Sequence, residues 1–218
     1  MVKEASGDAA LRRQLKDPYS LCPPGHGFTA RQKHVKMAYD ADYESWIAPF
    51  VMAAINTRVV HRSNALRDKI YGENFLYQEA VVTGKGLGGK GKARAASLGM
   101  ASFMAGLVVP PMRWGLENFV LPKPGEGPSP KQQLNGEYDL VFMGTTPGGD
   151  KVRCRVTGDR DPGYGSTAKM LAQSAACLAL DVPDSTEGGF WTPAAVMGDR
   201  LIGRLQAYAG LTFEIEPS

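Results

Sequence analysis

Apolar positions recur at three- and four-residue spacing in several stretches of this chain and alternate in others, so helices and strands are both predicted. Leu11 and Leu15 lie four apart, which predicts a short helix over 7–16 with Ser6 as its N-cap and Pro18 as its stop. Val35, Met37 and Tyr39 alternate with polar or small neighbours and predict a short extended segment. The longest helical pattern runs from Tyr43 to Leu66, through Trp46, Phe50, Ala53, Ala54 and Thr57 to Val60, and Pro49 sets its true start near Ile47. NFLYQEAVV (74–82) is rich in aromatic and β-branched residues and predicts a strand that ends at Thr83-Gly84, with a basic Gly/Lys loop after it. KARAASLGMASFMAGLVV (92–109) predicts an apolar helix ended by Pro110-Pro111.

The second half reads as a hairpin followed by helices. LPKPGEGPSP (121–130) predicts a fixed loop or linker. Glu137 to Thr145 and Lys151 to Thr157 predict two strands joined by a turn at Pro147-Gly148-Gly149-Asp150. Alternation in the second strand puts Val152, Cys154 and Val156 on one face, with Cys154 as a core thiol, and Arg153 and Arg155 on the other. A helix is predicted over 166–181, capped by Ser166 or Thr167, and another from an N-cap at Thr192 with Pro193 at its first position to Gly210. LTFEIE (211–216) alternates as a terminal strand. The sum is an α+β fold, a mostly antiparallel sheet covered by helices.

Composition narrows the class. The chain has 218 residues, 43% of them hydrophobic and 22% charged, enough to bury a core, and one domain over 1–218 is expected. Cys22, Cys154 and Cys177 are odd in number and widely spaced, which argues against a disulfide framework or a paired zinc site. A reducing compartment follows, and with no secretory pattern at the N-terminus the expectation is cytoplasmic. Residues 1–136 carry 18 Lys+Arg against 11 Asp+Glu, and 137–218 carry 7 against 11. The basic half has acids interspersed and no aromatic stacking surface, so nucleic-acid binding is not expected. The apolar core of the 92–109 helix, Leu98 to Val109, has 12 residues, fewer than the roughly 20 that span a bilayer. A closely packed buried helix is expected there, with peripheral membrane contact as the alternative.

Two segments have the form of anion sites. Gly86-Leu87-Gly88-Gly89-Lys90-Gly91 matches G-x-G-x-x-G between a predicted strand and helix, but no second parallel strand with an acidic end follows, so a mobile basic loop is expected rather than a dinucleotide cradle. In VTGDRDPGYGSTAK (156–169) a Gly-rich turn opens into a helix. An anion would bind near Gly165, Ser166 and Thr167 with Arg160 or Lys169 assisting, or the turn is an ordinary capped one in which Asp159 pairs with Arg160. Tyr164 is placed to donate a proton or hydrogen bond there. His26, His34 and His61 have no carboxylate at ligand spacing, so no metal is expected, and there is no G-x-S-x-G elbow. Arg58, Arg62, Ser63 and Asn64 form a polar group at the end of a helix, either as ligands or as complements to its dipole.

FVMAAINTRVVHRSNAL (50–66), LPKPGEGPSP (121–130), VTGDRDPGYGSTAKML (156–171) and GGFWTPAAVMGDRLIGRL (188–205) together resemble the C-terminal part of the saccharopine dehydrogenase-like oxidoreductases, in particular the trans-acting enoyl reductase branch. The resemblance covers nearly the whole chain in order. It implies a substrate-and-dimerisation domain, truncated at its N-terminus and lacking the Rossmann domain that binds NADP(H) in the complete family protein, so that no tight cofactor binding and no activity are expected of this chain alone. It implies an acyl or lipid-like substrate, lipid biosynthesis and a homodimer. It points to Tyr164 and Lys169 as the catalytic pair, and to Arg58, Arg62, Ser63, Asn64, Arg160, Ser166 and Thr167 as substrate contacts. The alternative is a non-catalytic lipid- or partner-binding assembly module built on the apolar helix and its basic flank.

Overall fold

In the computed structural model, which describes residues 8–119, 121–123 and 125–216, helix α1 (Ala9–Lys16) is capped by Asp8, whose carboxylate accepts from Ala10 N at 2.7 Å and Leu11 N at 3.1 Å. The expected cap, Ser6, lies outside the described residues. Contacts gather the chain into two compact units, Met1–Pro124 and Gly125–Ser218, where length alone suggested one domain. Each unit holds a three-stranded sheet, and all strand pairings are antiparallel. The fold class is α+β.

The first unit is built on β1 (Ala38–Asp40), β2 (Ser45–Pro49) and β3 (Ala80–Gly84), in that order across the sheet. The expected long helix from Tyr43 is corrected here: Ser45 to Pro49 form the central strand, and the helix α2 begins only at Ala53 and ends at Leu66. The spacing of Trp46, Phe50 and Ala53 fits a strand, turn and helix as well as one helix. Pairing with a neighbour on each side decides for the strand, because it satisfies the backbone groups of 45–49. The expected strand over 74–82 is likewise shorter. Its first half is extended but bonded to a side chain: the Gln32 amide donates to Phe75 O at 3.0 Å and accepts from Tyr77 N at 3.1 Å.

The expected basic loop after β3 is helical from Gly86, and α3 runs Gly86–Val108. Gly89 explains why glycines sit in a helix: a Cβ there would lie 1.9 Å from Gly84 O, so the helix approaches the strand end closer than any side chain permits. Thr83 Oγ1 bridges the approach, donating to Trp46 O at 2.9 Å and lying 3.0 Å from Gly89 O. Val109 ends α3, and the two prolines open α4 (Pro110–Phe119), a helix not foreseen in the sequence, where their missing N–H groups cost nothing. Helix α4 folds back so that Leu116 fills the space beside Gly106, where a Cβ would meet it at 2.7 Å.

The second unit starts with α5 (Pro130–Asn135), also unforeseen, which has a capping box between Ser129 and Gln132. Strands β4 (Tyr138–Thr145) and β5 (Lys151–Gly158) form the expected hairpin, with Gly149 at φ +93° in the turn, and β6 (Leu211–Glu216) pairs on the far side of β5. Arg155 is held by Asp139 through two bonds of 2.9 and 2.5 Å, and Arg153 by Glu216 at 2.6 Å, so acids cover that face of β5. Cys154 is half-buried, not a core thiol, because the apolar face is covered only in part. Helix α6 (Gly165–Leu180) packs against the second helical segment, which the sequence read as one helix and the structure divides at Gly198 (φ +52°) into α7 (Pro193–Val196) and α8 (Asp199–Tyr208). Leu205, Ala209 and Leu211 form the core with Met170, Leu201 and Phe213. The Arg204 guanidinium grips the Asp181 carboxylate, tying α8 to the end of α6.

Candidate functional site

The polar group at the end of α2 is turned toward its own unit. Arg58 donates to the carbonyls of Ala54 (2.6 Å), Asp17 (3.2 Å) and Leu15, and Arg62 to that of Leu21, so the two arginines fasten the end of α1 and the segment after it to α2. Ser63 Oγ donates to Val59 O at 2.9 Å. Asn64 is fully buried; its amide donates to Gly72 O at 2.9 Å and accepts from Tyr71 N at 2.8 Å, holding a turn in which Asp68 (φ +51°) and Lys69 (φ +60°) take the left-handed conformation.

Beside them, on the same helix, His61 is buried in an aromatic cage. The Tyr19 ring lies 4.8 Å away, Phe75 at 5.8 Å and Phe28 at 6.2 Å, centroid to centroid. No hydrogen-bond partner reaches His61 Nε2, and burial pulls the imidazole's pKa below its ordinary value, so it stays neutral. A buried nitrogen without a partner is uncommon and marks the place as a candidate site. The cage continues into polar groups. Tyr19 O–H donates to Ala30 O at 2.6 Å and accepts from the Gln32 amide at 2.7 Å. Tyr77 O–H donates to Glu79 at 2.6 Å, and the other oxygen of Glu79 accepts from the Asn56 amide at 2.9 Å. Burial and then Glu79 drive the Tyr77 phenol well above its ordinary pKa, so it remains a proton-bearing donor. His26, whose ring is 5.6 Å from that of Tyr19, borders an open depression of about 420 Å³ lined also by Pro23, Pro24, Gly25, Ala65, Asp68 and Lys69. Near it Cys22 is half-buried, and burial with the charge of Asp17 pushes its thiol up to about 11, against the opposing pull of Arg62.

The other candidates lie in the second unit, at the turn between β5 and α6. The helix end is capped by Asp161 and not by Ser166 or Thr167: its carboxylate accepts from Gly165 N at 2.6 Å and from Gly163 N and Tyr164 N at 3.1 Å each. These bonds, that from Gly165 foremost, hold its pKa below the usual carboxylate range. An internal carboxylate thus fills the place where a bound anion was considered. Asp159 pairs not with Arg160 but with Lys169, at 2.8 and 2.9 Å, and Lys169 also donates to Ala209 O at 3.2 Å. Gly210, at φ +72°, makes room for Asp159, whose oxygen would lie 2.3 Å from a Cβ there. Ser166 is buried and shares a 2.9 Å hydrogen bond with Tyr138 O–H, and Thr167 Oγ1 donates to Pro162 O at 2.7 Å. Arg160 is half-buried, with its Cβ against Gly165. Tyr164 alone of the proposed pair presents an exposed ring, laid along Gly127.

The structure therefore brings Tyr164, Ser166, Thr167, Lys169 and Arg160 to one turn, and Arg58, Arg62, Ser63 and Asn64 to one helix of the other unit. Sequence reasoning missed Asp161, although Asp before Pro-Gly is an Asx-turn signal. It also missed the Tyr19, Gln32, Tyr77 and Glu79 grouping, whose members are too far apart in the chain to leave a local sign. The glycines of α3 do not fit a dinucleotide: β3 lies in an antiparallel sheet and Gly84 O occupies the space at Gly89.

This fold and these turns can be set beside known proteins. The chain is similar over nearly its full length to proteins named as enoyl reductases. A provisionally named trans-acting enoyl reductase of Mycobacterium tuberculosis is 36% identical over 237 residues, which cover 98% of this chain and 53% of that protein. Trans-acting enoyl reductases of Mycobacterium bovis and Mycobacterium ulcerans are 36% and 34% identical, each across 94% of this chain and 51% of the relative. The chain thus spans about half the length of the curated relatives it matches. No family model matches it, and no solved structure does.

Proposed function

We propose that residues 1–218 form the substrate-facing part of an enoyl reductase-like oxidoreductase of the saccharopine dehydrogenase-like kind, which reduces an acyl or lipid-like thioester with NADP(H). The observation that carries this is the 36% identity, over at least 94% of the chain, to proteins named trans-acting enoyl reductase. Enoyl reduction needs a hydride at one alkene carbon, a proton at its neighbour and a donor to the thioester oxygen. The exposed Tyr164 is our candidate for the donor. The ion pair of Lys169 with Asp159 supports a positioning part for Lys169, which holds the turn that carries Tyr164. No hydride step is assigned to residues of this chain, since its glycine segment does not fit a dinucleotide.

The test replaces the matching half of a Mycobacterium tuberculosis relative with residues 1–218 and follows NADPH oxidation against enoyl thioesters. Turnover that falls at least tenfold on Tyr164→Phe, without loss of folding, is the expected result. A folded chimera that is inactive on thioesters the parent enzyme reduces would refute the proposal. Calorimetry of the chain alone with NADPH is expected to give weak binding or none, and a micromolar Kd would contradict it.

A further inference from the structure

We propose that the α3–α4 pair is a membrane-inserting element that enters one leaflet of an anionic bilayer. Three observations carry this, and none depends on the enzymatic proposal. The first is chemical continuity. The 18 residues between Arg94 and Arg113 carry no charged side chain, and the side of α3 left open by its packing, with Leu98, Ala101, Met104, Ala105 and Val108, is as apolar as the packed side. A helix that meets water or the rim of a protein partner keeps a charged or polar flank, and beyond Arg94 the exposed side of this one has only Ser102 among its polar residues.

The second is exposure at the bend. Leu98 is 60% exposed, Met104 54% and Val108 69%, and across the turn Trp114 is 62% and Phe119 78% exposed. Among the described residues no single helix is long and apolar enough to cross a membrane, but α3 with the first residues of α4 passes as a pair bent by 113°. From Ala95 to Val108 the helix rises about 21 Å, more than the roughly 15 Å of one hydrocarbon leaflet and less than the whole core. A bent pair of that reach enters and returns, and Trp114 is a residue type that settles at the interface, with the apolar Phe119 exposed beside it.

The third is charge. Between Glu79 and Glu117 the chain carries Lys85, Lys90, Lys92, Arg94 and Arg113 and no acid. Lys85 is paired with Glu44 at 2.5 Å and Lys90 lies over the Trp46 ring at 5.2 Å, while Lys92 and Arg94 are exposed just ahead of the uncharged run. Cations at the foot of an apolar element match the headgroups of an anionic leaflet and do not match a generic protein groove.

Flotation of the full chain with vesicles of phosphatidylcholine, alone or with about one third phosphatidylglycerol, tests this, alongside gel filtration and a thermal melt of each variant without lipid. The expected result is binding that is at least tenfold stronger on the anionic vesicles. It should fall at least tenfold on M104E/V108E and on K92E/R94E, with melting unchanged because these side chains are exposed. Folded chain that floats with neither vesicle overturns the proposal, as does flotation that M104E/V108E leaves intact. A discrete oligomer that M104E/V108E dissolves, without vesicle binding, also overturns it and assigns the surface to a second copy of the chain.

Discussion

Replacing Gly89 by Ala should destabilise the first unit, although alanine is the better helix former. On propensity alone the change favours α3 by about 1 kcal/mol. Against it stands the Cβ position 1.9 Å from Gly84 O and 2.3 Å from Gly84 C, where ordinary contact begins near 3.4 Å. The neighbour is backbone at the end of a paired strand and cannot rotate away, so α3 must retreat from β3 by about 1.5 Å to restore ordinary contact. Such overpacking costs about 1–3 kcal/mol. The retreat also removes Gly89 O as the alternative acceptor for the Thr83 hydroxyl, which leaves that carbonyl short of a donor for up to about 1 kcal/mol more, and loosens the buried Ala93 one turn on. The net is about 2 kcal/mol of destabilisation, which lowers Tm by roughly 6–10 °C for a unit of this size. Gly88→Ala and Gly91→Ala are the controls: nothing lies within 4 Å of a Cβ at either site, so each should stabilise by about 0.5–1 kcal/mol. Thermal and urea unfolding followed by circular dichroism separates the signs. If Gly89→Ala melts at or above the parent chain, the strand–helix approach described here is wrong.

Three further outcomes follow from the titrating groups. Burial holds folded His61 neutral below the pH near 6.5 at which the unfolded chain takes up the proton, so stability should decline as pH falls below about 6.5; His61→Phe should flatten that limb, and urea titrations from pH 7.5 to 5 in which both proteins lose stability equally would count against the aromatic cage. Asp161, held low by the Gly165 N–H, contributes stability above the ordinary Asp pKa of about 4 that is lost as pH falls through its folded value; Asp161→Asn should lower Tm at pH 7 and shrink the gap to the parent chain under acid, and an equal Tm at neutral pH would dismiss the cap. Cys22, with its thiol pushed up to about 11, should alkylate at pH 8 roughly a hundredfold more slowly in the folded chain than in urea, read by peptide mass spectrometry, and equal rates would show it unburied.

The hairpin of β4 and β5, β6, the body of α6 and the end of α3 at Pro110 were legible in the sequence because their signals are local: alternation, a Gly-rich turn, a proline that denies an N–H. What lay beyond the sequence was decided by three-dimensional pairings that periodicity does not report. Ser45 to Pro49 became a strand because the nearby β1 and the distant β3 pair with it on either side, Gly89 lets the start of α3 lie against Gly84, and Lys169 was drawn from a place in an anion site into a pair with Asp159 beside Gly210. Periodicity reports which face of an element is apolar, but only the folded chain settles which backbone donors find partners and which charges meet, since those free energies depend on distances that no local pattern encodes.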